Sequence, residues 1–138
     1  MHISSLEQIF VAGVMHRGVI TCPPETLLAS VARTLFENRI HAIFVAGEWA
    51  REGYEEMVWG VVFDTDVVRA ACEGGLDRAV GDVAHQEMVT VRPEAPLSEA
   101  VAVMAEQHLT HLVVVDAPLE PVGILSTFDV MGVLGAAR

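Results

Sequence analysis

The chain contains no lysine: its 8 basic residues are all arginine, set against 19 acids, for a net charge of −11. Nucleic acids are held by clustered cations that release counterions, so DNA and RNA are excluded as partners over most of this surface. Any bound phosphate must be met by a few Arg or His side chains, by backbone N–H groups or by a divalent ion. Without lysine there is also no amine for Schiff-base chemistry. Only two cysteines occur, Cys22 and Cys72, in unrelated contexts and without CxxC spacing. They read as free thiols of a reducing compartment rather than a disulfide framework or a zinc site. Apolar residues make up 52% of the chain, ample for a core, yet no run reaches the ~18 residues a membrane span needs, so a soluble protein is expected. The opening Met1-His2-Ile3-Ser4-Ser5 has no basic stretch leading into an apolar one, which makes a cytoplasmic setting the expectation. A GxxxxGKS/T phosphate loop, a GxSxG elbow and an HExxH helix are all missing, so catalysis is not expected.

What is present is a repetition. Thr21-Cys22-Pro23-Pro24-Glu25-Thr26-Leu27-Leu28 returns 69 positions later (21 to 90) as Thr90-Val91-Arg92-Pro93-Glu94-Ala95-Pro96-Leu97. Each copy runs through an amphipathic stretch into an apolar run and then into Gly-apolar-apolar-x-x-x-Asp, at Gly60 to Asp66 and at Gly123 to Asp129. Gly81-Asp82-Val83-Ala84-His85 likewise matches Ala12-Gly13-Val14-Met15-His16. A chain of 138 residues has one domain's length, so the two copies are expected to share a folding unit.

The residue patterns define β-α-β-β-α in each copy. In the first, Val19 to Thr21 is extended and Pro23-Pro24 turns it into a helix whose stripe is Leu27, Leu28, Val31, Ala32, Leu35 and Phe36, ending near Asn38. Ile40 to Val45 and Val58 to Phe63 read as strands joined by the acidic loop Gly47 to Met57, and Asp64 to Cys72 as a helix with Val67, Val68 and Ala71 inward. In the second, Val89 to Val91 is extended, Leu97, Ala100, Val101 and Met104 form the stripe, and Leu112 to Val115 and Val122 to Leu125 are strands around a turn at Asp116 to Pro121. A helix from Thr127 to Leu134 closes it. Ahead of the repeat, Ser4-Ser5-Leu6-Glu7 has capping-box spacing and predicts a short helix from Ser5 toward Val11. The boundaries are thus an N-terminal helical extension at 1–13, a first motif at 14–75 and a second at 76–138. The fold class is α/β (α+β), two pseudo-symmetric motifs packed sheet to sheet.

These residues resemble a tandem of cystathionine β-synthase (CBS) domains, over about Val14 to Gly135. The second copy carries the pattern most fully: Thr90-Val91-x-Pro93, Leu97-x-Glu99-Ala100-Val101-x-x-Met104, Leu109-x-His111-Leu112-x-Val114-Val115-Asp116 and Val122-Gly123-Ile124-Leu125-Ser126-x-x-Asp129. The first copy has drifted, with Cys22, Leu35 and Phe63 where the second has Val91, Met104 and Ser126. The resemblance implies a regulatory sensor with two clefts between the copies, each for an adenosyl ligand: AMP, ADP, ATP or S-adenosylmethionine. No other cofactor is implied. Binding is expected to act by population shift. In one cleft Asp129 would take the ribose hydroxyls and Ser126 and Thr127 the phosphate, with Val19, Thr21, Cys22, Ile40, His41 and Ala42 lining the adenine slot. The mirror cleft would use Asp66 with Val89, Thr90, Val91, Leu109, Thr110 and His111. There Phe63 removes the hydroxyl and Asp64 brings a repulsion of about 1–4 kcal/mol for charges roughly 4 Å apart. That cleft is expected to be empty or to take an uncharged adenosine moiety.

Plainer roles stand beside these. Asp129, Asp66, Ser126 and Thr127 could simply cap helices. His16 and His85 occupy equivalent positions and read either as phosphate contacts across the cleft or as surface or interface residues. His108 and His111 lack a carboxylate or cysteine to complete a metal set, and Cys22 reads as a small core residue. The resemblance also implies a disc-like homodimer, for which Leu76, Val80, Val68, Met131, Val133 and Leu134 are candidates. The alternatives are a non-binding structural pair that only dimerises or docks on a partner protein, and a metal or redox sensor built on His and Cys22.

Overall fold

The computed structural model describes residues 3–47, 58–117 and 120–136. Two 3-10 turns, Ile3–Gln8 and Val11–Gly13, precede strands β1 (His16–Arg17) and β2 (Thr21–Cys22), helix α1 (Leu28–Asn38), strands β3 (Ala42–Gly47) and β4 (Val58–Phe63), and helix α2 (Asp64–Cys72). After a 3-10 turn at Val80–Asp82 come β5 (Thr90–Val91), α3 (Leu97–Gln107), β6 (His111–Asp116), β7 (Glu120–Ser126) and α4 (Thr127–Ala136). Among the described residues this is a mixed α/β fold of four α-helices and two sheets. None of the helices is long and apolar enough to cross a membrane.

The chain divides into two compact units: Met1–Val19 with Met88–Arg138, and Ile20–Glu87. In the first, the sheet order is β1-β7-β6-β5, and in the second β2-β3-β4. The repeat is preserved residue by residue in the pairing: Thr21 lies opposite Phe44 as Thr90 lies opposite Val113, and Val45 opposite Gly60 as Val114 opposite Gly123. His16 faces Ile124 on β7, and its counterpart His85 makes an isolated bridge with Val61 on β4. The compact units do not follow the repeat boundaries, because the stretch through Val19 belongs with the second copy and that through Glu87 with the first.

Apolar periodicity places the cores. Leu28, Val31 and Leu35 of α1 pack with Ile43, Val45, Val62 and Val67, while Leu97, Ala100 and Met104 of α3 pack with Leu112, Val114, Leu125 and Val130. Both first helices end alike, on a residue in left-handed conformation, Arg39 (φ 52°) and His108 (φ 55°). The next N–H then returns to the helix, Ile40 to the Leu35 carbonyl at 3.0 Å and Leu109 to that of Met104 at 2.9 Å. This closure holds Ile40 back, so β3 begins at Ala42 rather than at Ile40.

Four expectations are corrected. The N-terminal segment is not one helix to Val11: Phe10 is extended and bridges Pro96, while Leu97 N–H donates to the Ile9 carbonyl at 2.7 Å and Val11 N–H to that of Ala95 at 2.9 Å. Leu6, Val11 and Met15 thereby enter the core of the first unit. In α1, Leu27 is the extended residue before the helix and, like Phe36, is exposed. In α2 the inward face is Asp66, Val67 and Ala70, with Val68 and Ala71 outside, because Asp66 is tied into the unit. Val80, expected at an interface, is fully buried in the core of the second unit. The acidic loop, residues 48–57, and two residues of the Asp116 to Pro121 turn lie outside the described residues.

Candidate functional site

Two helix starts carry the aspartates singled out by the repeat. At α4, Ser126 ends β7 and Asp129 is the third helical residue, the spacing at which the two side chains can satisfy each other's backbone. Both halves of that box form. The Ser126 N–H donates to Asp129 Oδ2 at 2.8 Å, the Ser126 hydroxyl donates to the same oxygen at 2.9 Å, and Asp129 N–H donates to Ser126 Oγ at 3.1 Å. Two consequences follow for chemistry. The single hydroxyl proton of Ser126 is spent on Asp129, which leaves the Thr127 hydroxyl as the donor available to a phosphate. Asp129 Oδ1 accepts no hydrogen bond among the described residues, so a half-buried carboxylate oxygen at a helix N-terminus is open to a ligand donor. Ser126→Ala should remove the cap and lower stability by about 0.5–2 kcal/mol, read as a drop in melting temperature with the sheet intact by circular dichroism.

At α2 the same scaffold is wired differently. Phe63 replaces the serine and gives only its backbone N–H, which donates to Asp66 Oδ2 at 2.8 Å. Asp66 Oδ1 is taken by His85 Nε2 at 2.9 Å, with Arg69 Nη1 at 3.5 Å, and the residue is 8% exposed. Asp64, at the first helical position, is engaged as well: Oδ2 meets His41 Nδ1 at 2.8 Å and Oδ1 accepts the Thr65 N–H at 2.8 Å.

The remaining predicted residues fall beside these two helix starts. Thr127 N–H donates to the Thr110 carbonyl at 2.9 Å and His111 lies opposite Ser126, so Leu109, Thr110 and His111 lead directly into the Asp129 end of the first unit. Asp64 N–H donates to the His41 carbonyl at 2.9 Å and Ala42 lies opposite Phe63, which puts Ile40, His41 and Ala42 beside Asp66 in the second. Thr90 and Val91 form β5 in the first unit, with Val89 just before it and Val19 at the end of that unit's leading segment, and Thr21 and Cys22 form β2 in the second. Each strand start therefore neighbours the aspartate of its own copy. Sequence reasoning missed Arg69 and the His85–Asp66 pair. The available signal was Phe63 standing in the position of Ser126, which leaves Asp66 short of a donor.

Cys22 is half-buried, and its thiol is pushed up by burial, opposed by a hydrogen bond with Thr26 and raised further by the Glu25 carboxylate. A raised thiol is a poor nucleophile and metal ligand at neutral pH, which argues against redox sensing through it. Among the described residues no three His, Cys, Asp or Glu side chains gather as a metal site.

Two β-α-β-β-α copies, each ending in a helix with an aspartate capping from its third position, define a tandem pseudo-symmetric module. The chain belongs to the CBS domain family, whose sequence model matches residues 11–73 and 80–136. An uncharacterized protein of Methanopyrus kandleri, MK0525, is 24% identical over 131 residues, covering 93% of this chain. The chain spans 64% of the length of that relative. Among solved structures, the CBS domain pair of protein MJ0100 in complex with 5′-methylthioadenosine and S-adenosyl-L-methionine aligns with a TM-score of 0.77 at 17% identity, covering 94% of this chain and 98% of its own. The CBS domain protein PAE2072 from Pyrobaculum aerophilum, complexed with AMP, aligns with a TM-score of 0.72 at 26% identity over 94% of this chain and 100% of its own.

Proposed function

We propose that this chain is a regulatory module that binds an adenosyl ligand, AMP, ADP, ATP or S-adenosylmethionine, and acts as a small-molecule or energy sensor rather than an enzyme. The observation that carries the reading is Asp129: a carboxylate fixed at a helix N-terminus by Ser126 through one oxygen, with the other open to a ribose diol. The two relatives crystallised with AMP and with methylthioadenosine and S-adenosylmethionine support the ligand class. In this reading Ser126 orients Asp129, Thr127 meets the phosphate, and no further cofactor takes part. Binding shifts the population toward the conformer that holds the ligand, by no more than its differential affinity for that conformer. A cytoplasmic setting belongs to the proposal and is consistent with the unpaired thiols of Cys22 and Cys72.

A thermal-shift series with AMP, ADP, ATP, S-adenosylmethionine and methylthioadenosine tests it. A ligand at about 100 times its Kd should add about 2.7 kcal/mol, a rise of roughly 10 °C for a domain of this size. No shift with any of the five would remove the sensor reading and leave a structural pair. That second reading is favoured by the apolar side chains left exposed on the helices, Phe36, Val68, Phe128 and Met131, of which Val68 and Met131 are also proposed homodimer contacts.

A further inference from the structure

The repeat equates His16 with His85, Ser126 with Phe63 and Asp129 with Asp66, yet the copies use these positions in opposite ways. In the first unit the Ser126 hydroxyl satisfies Asp129, and the His16 side chain makes no hydrogen bond among the described residues. In the second unit the side chain of Phe63 has no proton to give, and only its backbone N–H reaches Asp66. Asp66 is buried there, and a buried carboxylate short of donors is strongly destabilising. His85 supplies the missing donor. Its backbone is fixed independently of its ring, since His85 N–H donates to the Val61 carbonyl at 2.9 Å and Val61 N–H returns to the His85 carbonyl at 3.0 Å. The ring then lies tilted near Phe63, centroids 6.2 Å apart, and Nε2 reaches Asp66 Oδ1 at 2.9 Å. Arg69, one helical turn on, adds a weaker contact at 3.5 Å.

We infer that His85 is an internal occupant of the Asp66 carboxylate, holding the oxygen that would otherwise receive a ribose diol, and that it limits the chain to one adenosyl ligand. The inference rests on the reading of Asp129 as a ribose acceptor: the oxygen left open there is the one closed here by a side chain of the same unit. The serine-to-phenylalanine difference and the His85 contact are two sides of one arrangement. Where the hydroxyl is present the histidine is not needed, and where it is absent the histidine takes the aspartate out of use.

Calorimetry with 5′-methylthioadenosine tests this, because a ligand without phosphate avoids repulsion from Asp64. The native protein should bind one ligand per chain, and His85→Ala/Arg69→Ala two, since the backbone bonds that seat residue 85 do not involve its ring. His85→Gln, whose amide can donate to Asp66, should return the count to one. A double variant that still binds one ligand would overturn the inference and leave Asp129 as the site. Two ligands on the native protein would do the same. No binding by any of these proteins would instead overturn the reading of Asp129. A measurement on the native protein guards against a variant that fails to fold: the His85 ring ¹⁵N signals should stay unmoved at saturating ligand, and their displacement would overturn the inference.

Discussion

Asp129→Ala should weaken binding of AMP and S-adenosylmethionine by at least tenfold, while Asp66→Ala leaves it within about twofold of the native value. A hydrogen bond to a charged group is worth about 1.5–3 kcal/mol, which corresponds to roughly 10- to 150-fold in affinity. The asymmetry follows from geometry alone. Both carboxylates sit at the third position of a helix, but both Asp66 oxygens are committed, to the Phe63 N–H and to His85, whereas Asp129 commits only Oδ2. Because Asp129→Ala also removes a cap, Asp129→Asn is the informative companion: its side-chain oxygen can still accept from Ser126, and its affinity should fall with less loss of stability. Calorimetry on the three variants checks this, and equal losses at Asp66 and Asp129 would contradict it.

Gly123→Ala should be among the most damaging single-methyl additions in the chain. A Cβ at Gly123 would lie 2.4 Å from the His16 carbonyl oxygen and 3.5 Å from Arg17 Cα, backbone atoms with no side-chain freedom to give way. Strand β1 would have to move off β7, loosening the pairing of His16 with Ile124. Forced overpacking of this kind costs about 1–3 kcal/mol or more, a fall in melting temperature of roughly 4–12 °C. Gly132→Ala in α4 is the opposite case, with nothing within 4 Å of the added carbon. Relieving a helix of glycine there should raise stability by up to about 1 kcal/mol. Thermal unfolding of the two variants should therefore diverge in sign, and an unchanged melting temperature for Gly123→Ala would contradict the close approach of β1.

Local patterns were the legible part of this chain. The 69-residue offset between copies (21 to 90) reappears in the strand registers, and the bounds of α2 at Asp64–Cys72 follow from the sequence because the acids, the β-branched run before them and the glycines after them all lie within a few residues. The Ser126–Asp129 box is readable for the same reason, its partners being three residues apart. What escaped depends on distant partners. The inward face of α2 is set by a carboxylate bound to a histidine 19 residues away, which turned Val68 and Ala71 outward. The N-terminal segment is shaped by the loop before α3, far along the chain, so a capping pattern at Ser4 could not foretell two 3-10 turns separated by an extended Phe10.

The division of the chain into a continuous unit, Ile20–Glu87, and one made of two separated segments bears on its synthesis. The continuous unit is complete as soon as Glu87 has left the ribosome. The other keeps Leu6, Val11 and Met15 without their partners until α3 and β6 emerge, and it must then close over the whole intervening stretch, a slow step for a long loop. Through that interval these three apolar side chains wait uncovered, the stage at which a nascent chain is most exposed to misassembly.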